Sequence, residues 1–183
     1  MTLPAKTLAR PAVITAMLLL VPLVAMQFTS EVNWTRSDFV FAGTILFGTG
    51  LAYELISRKG TTAMYRLAAA GALLTGFFLI WSNLAVGLIG SGPNPANLLT
   101  GGVVLVPVVG AIMVRFRPLG MVRVLLVTAL AQALVPVLAL LVWPEMRLHV
   151  REAVGVTGFF GALWLGSAFL FRRAGINEPE RRA

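Results

Sequence analysis

Six separate stretches of this chain stay apolar for long enough to cross a lipid bilayer, and that feature excludes most folds otherwise open to 183 residues. A hydrocarbon core about 30 Å thick takes a helix of about 20 mainly apolar residues, each rising about 1.5 Å. The stretches cover 11–28, 38–57, 67–90, 98–114, 124–143 and 154–171. Barrel strands would alternate apolar and polar residues over about 10 positions, whereas these runs are apolar on every face. The expected fold is therefore all-α: a polytopic transmembrane bundle of six helices with short connections, forming a single transmembrane domain over 1–183. At 58% hydrophobic and 12% charged residues the chain lies far from the soluble norm of about a quarter charged.

A net charge of +8 would suit nucleic acid if the cations shared one face, but they fall in short clusters between apolar runs. No nucleic-acid partner is expected; the clusters read as topology signals. Lys and Arg near segment ends are retained on the cytoplasmic side. One set of connections holds Lys6, Arg10, Arg58, Lys59, Arg66, Arg115, Arg117, Arg123, Arg172, Arg173, Arg181 and Arg182, which is 12 of the 15 cations; the other holds Arg36, Arg147 and Arg151. This pattern predicts a multi-pass protein of a bacterial-type inner membrane with both termini cytoplasmic. Trp34 and Trp143 fall at the opposite boundary, where amphipathic rings favour the headgroup layer. Lys6 and Arg10 before an apolar run also resemble a signal peptide, but Val24-Ala25-Met26 is a poor small-x-small cleavage site, so this segment reads as an anchor.

The absence of cysteine excludes disulfides and thiolate centres, and the single histidine, His149, excludes a multi-histidine metal site within one subunit. No catalytic, metal or cofactor motif is visible. Small residues recur every four positions as Gly158, Ala162 and Gly166 in the sixth segment and as Ala68, Ala72 and Gly76 in the third. Such stripes allow close helix contact, inside the bundle or between chains. Pro22, Pro107 and Pro136 interrupt three segments, and each removes a backbone hydrogen bond.

Ionisable groups inside a membrane are the first functional candidates, because an unpaired one costs several kcal/mol. Glu54 lies one turn before Arg58, so an i,i+4 pair can anchor it at the cytoplasmic surface; the sharper reading is a proton or cation relay. Asp38 opens the second helix, where a carboxylate caps free amides and matches the helix dipole. Asn83 and Gln132 are amides within the third and fifth segments, expected to hydrogen-bond neighbouring helices. Asn94 and Asn97 belong to a turn-forming run, and with Asn33, Trp34, Asp38 and Asn83 they can form a polar patch facing outside. His149, among Glu145, Arg147, Arg151 and Glu152, reads as solvent-exposed.

The runs Glu31-Val32-Asn33-Trp34, Gly50-Leu51-Ala52-Tyr53-Glu54-Leu55, Trp81-x-Asn83-Leu84-Ala85-Val86-Gly87, Asn94-Pro95-Ala96-Asn97-Leu98 and Ala129-Leu130-Ala131-Gln132-Ala133-Leu134 span nearly the whole chain. In these runs the chain resembles a family of small uncharacterised bacterial inner-membrane proteins. The resemblance implies six transmembrane helices and brings no activity. Family relatives carry acidic residues just before the Asn-Pro-Ala-Asn turn, where this chain has Gly92-Pro93, which argues against a cation site there. Two function classes follow. One is an accessory or structural protein acting through helix contacts with other membrane proteins; the other is a small-solute transporter or channel, a homo-oligomer, with Glu54, Asn83 and Gln132 on its path.

Overall fold

A computed structural model describes residues 5–60, 62–88, 95–143 and 150–177. Their regular structure is helical throughout: α1 (Ala5–Phe28), α2 (Arg36–Ser57), α3 (Ala63–Ala85), a 3-10 turn (Pro95–Asn97), α4 (Leu98–Met113), α5 (Pro118–Val142) and α6 (Val150–Asn177). All six helices, the fourth taken with its 3-10 turn, are long and apolar enough to span a membrane. The all-α expectation holds, and the chain has the build of a multi-pass membrane protein.

The helix ends differ from the apolar runs in a consistent way. α1, α5 and α6 extend beyond 11–28, 124–143 and 154–171 through residues such as Arg10, Arg123, Arg172 and Arg173. Backbone hydrogen bonding continues past the apolar run, because a long basic side chain can stay in a helix while its charged end extends toward polar surroundings. α3 also starts early, at Ala63, but its far end differs the other way. Expected over 67–90, it ends at Ala85, because Val86 leaves helical geometry and Gly87 takes a left-handed conformation with φ 71°.

Contacts divide the chain into two compact units, 1–58 and 59–183. The first is an antiparallel hairpin of α1 and α2. A Cβ built on Gly50 would lie 3.1 Å from Pro11 Cβ, and one on Gly43 3.4 Å from Leu19, so these glycines let the helices approach closely. α2 begins with a capping box: the Thr35 hydroxyl accepts from Asp38 N–H at 3.3 Å, and Asp38 Oδ2 accepts from Thr35 N–H at 2.7 Å. Trp34 and Phe39, one on each side of the box, meet edge to face at 5.3 Å and fix the entry angle of the chain.

The second unit packs α3, α4, α5 and α6 around a central α5–α6 pair. On α5, buried Met121, Leu125, Thr128, Gln132, Val135 and Ala139 alternate four and three apart; on α6, Phe160, Trp164, Ser167, Phe171 and Ala174 do the same. That spacing keeps one seam of each helix facing its neighbour, as in a left-handed coiled coil. α3 packs chiefly on α6, and α4 on α5. The α4–α5 turn is tight: Arg115 and Phe116 both hold positive φ, 52° and 60°, and Phe116 N–H closes back on Ala111 O at 3.0 Å. Tyr65, fully buried at the start of α3, donates its hydroxyl to Phe116 O at 2.9 Å and meets Phe171 edge to face at 5.2 Å.

The two small-residue stripes part company. In α3, Ala68 is fully buried and a Cβ on Gly76 would meet the Trp164 ring at 3.6 Å, so that stripe lies inside the unit. In α6, Gly158, Ala162 and Gly166 are exposed, and a Cβ on either glycine would meet nothing within 4 Å.

Candidate functional site

Glu54 sits where α1 begins and α2 ends. Its carboxylate lies 3.6 Å from Arg58, the expected i,i+4 partner, and 3.6 Å from Arg10 across the hairpin. Arg58 also donates to the hydroxyl of fully buried Thr7 at 2.6 Å. The Glu54 side chain is 18% exposed against 73% for Arg10, so a half-shielded carboxylate is flanked by two cations whose outer faces stay open. A groove of about 450 Å³ runs from this cluster along α1 and α2, lined by Arg10, Tyr53 and Glu54 at one end and by Val13, Ile14 and Leu46 beyond.

Both ion pairs exceed charge-assisted hydrogen-bond length and one partner is largely open, which places them near exposed pairs worth about 0–1 kcal/mol. Glu54→Gln should therefore lower thermal stability in detergent by no more than about 1 kcal/mol. A markedly larger loss would show that the pair is shielded far more than its exposure indicates.

Asp38 works within the capping box, from the third helical position rather than as the cap itself. Asn83 and Asn97 are brought together: Asn83 Nδ2 donates to the Asn97 carbonyl at 3.2 Å, and Asn97 Oδ1 accepts from Leu88 N–H at 2.9 Å. These bonds tie the end of α3 to the start of α4. Asn94 and His149 lie outside the described residues. Gln132 is 2% exposed on the buried seam of α5, and its Oε1 has no hydrogen-bond partner among the described residues.

Sequence reasoning passed over Thr7, Tyr65, Thr128 and Trp164, and took Arg10 only as a topology signal. Tyr65 carried one usable signal, a Gly five residues before it: a Cβ on Gly60 would collide with the Tyr65 ring. Trp164 carried none, since an indole in an apolar run reads as packing. Among the described residues no group of three or more His, Cys, Asp or Glu converges as a metal site. No protein-family model, curated protein or solved structure matches this chain.

Proposed function

We propose that this chain is an accessory or structural protein of a bacterial inner membrane, with both termini cytoplasmic, acting through helix contacts with other membrane proteins. The observation that carries this reading is the outward face of α6. Gly158, Ala162 and Gly166 offer a smooth strip with open space above it, while the opposite seam carries the large core residues Phe160, Trp164 and Phe171. In lipid, where apolar surface alone gives helices no reason to associate, small residues that let backbones approach closely supply the attraction. Orientation rests on the cation asymmetry, and membership of the family the sequence resembles rests on the runs that carry the likeness. Against a relay, Glu54 is held between two arginines at the end of a hairpin.

A photo-crosslinking residue placed at Ala162 should trap a second membrane protein or a second copy in cells, while the same residue at Leu130, exposed on α5, should trap lipid. Gly166→Leu should reduce the protein adduct at least tenfold, with the monomer still folded. Lipid adducts alone at Ala162, or a crosslink within one chain, would overturn the reading. The chain has no cysteine, so single cysteines introduced at each terminus should react with an impermeant thiol reagent only after the inner membrane is opened.

A further inference from the structure

The buried polar residues of the second unit gather at one depth. Gly175 lies against Leu119 and Pro118, a register that sets Trp164 and Ser167 of α6 opposite the Thr128–Gln132 turn of α5. Gly71 lies against Ser167 and Gly76 against Trp164, which brings Thr75 of α3 to the same level. Gly110 against Val124, with Gly120 against Val114, carries Thr100 of α4 there as well. At about 1.5 Å per residue, these side chains fall within about one turn of a common plane near the middle of α5.

Within that plane two polar atoms are unspent. Gln132 Oε1, an acceptor, and Trp164 Nε1–H, a donor, are buried without hydrogen-bond partners, on side chains 2% and 1% exposed. Two of the neighbouring hydroxyls have already used their protons: Thr128 donates to Val124 O at 2.9 Å and Thr75 to Gly71 O at 2.7 Å, so these two have only lone pairs to offer. Buried polar atoms are almost always satisfied by protein or by a bound partner. We propose that this layer holds a small uncharged guest that donates to Gln132 Oε1 and accepts from the Trp164 indole. Water, urea and glycerol each carry both a donor and an acceptor and so match that pattern. A charged guest of either sign would find no opposite charge among the described buried residues of this unit to balance it. The inference is independent of the contacts proposed for the outer face of α6.

The test is nuclear magnetic resonance of the full chain in detergent with ¹⁵N-labelled tryptophan, the Trp164 indole signal being assigned by its loss in Trp164→Phe. A cross-peak from the Trp164 indole proton to water is expected if water is the guest. A saturable shift of that signal on titration with urea or glycerol is expected if a solute displaces it. Gln132→Leu should abolish either effect. The proposal is overturned if the wild-type indole shows neither a water cross-peak nor a solute-dependent shift. It is equally overturned if the indole signal lies downfield, without water contact, and moves upfield only in Gln132→Leu, since the two side chains would then bond each other directly. The first of these outcomes is read on the wild-type protein, so poor folding of Gln132→Leu does not blunt it.

Discussion

Tyr65→Ala should destabilise the second helical unit by about 3 kcal/mol, toward the lower end of large aromatic truncations, because in a membrane the loss comes through packing more than through transfer from water. Tyr65 is fully buried and fills the corner between Gly60 and Phe171, so its removal leaves a cavity that helices anchored on both sides cannot close. It also strands the Phe116 carbonyl, whose bond to the tyrosine hydroxyl steadies two consecutive left-handed residues that are not glycine. Tyr65→Phe separates the two contributions: it keeps the ring and should lose about 1 kcal/mol. Unfolding in mixed micelles with rising dodecyl sulfate fraction would measure both variants. Equal stability of Tyr65→Ala and wild type would show that the corner relaxes around the missing ring.

Gly110→Leu should cost about 1–3 kcal/mol through overpacking. A Cβ there would lie 2.7 and 2.8 Å from the two methyl carbons of Val124, so α4 must move away from α5 along the contact that holds it. Gly158→Leu makes the same chemical change on the outer face of α6, where nothing stands within 4 Å, and should stay within about 0.5 kcal/mol of wild type. The comparison is internally controlled, since both glycines sit in helices and lose the same backbone freedom. If Gly158→Leu proved the more damaging, the outer face would belong to the core of the folded chain.

The spans were legible because lipid leaves a crossing segment little choice: backbone groups must be satisfied within the helix, and an apolar run of the right length announces it. Helix ends were not, since Arg10, Arg123 and Arg172 look like loop residues until the helix is seen to carry them past the apolar boundary. Glu54 with Arg58 could be read from the chain because the i,i+4 neighbour is a property of any helix. Arg10 could not, because its approach to Glu54 depends on how closely α1 packs at Gly50. Gln132 stood out as an amide in an apolar run, whereas Trp164 did not. Its role lies in an indole N–H left unpaired at the depth of Gln132, and depth relative to another helix follows only from the register of the packed bundle.

The packing of α3 on α6 has a consequence for how the chain is made. α3 ends at Ala85 and its main partner does not begin until Val150, so α4 and α5 are synthesised in between. At ~5–20 residues per second the ribosome takes several seconds to cover that interval. During it, the inward stripe of Ala68, Ala72 and Gly76 lies in the bilayer without the Trp164 surface that later covers it. Small residues suit such a wait, because they present little for passing helices to grip until the complementary face arrives. α6, synthesised after α3, α4 and α5, is therefore the helix that closes the unit, and a chain stalled before Val150 would hold helices in the membrane with their main contact surface still unfilled.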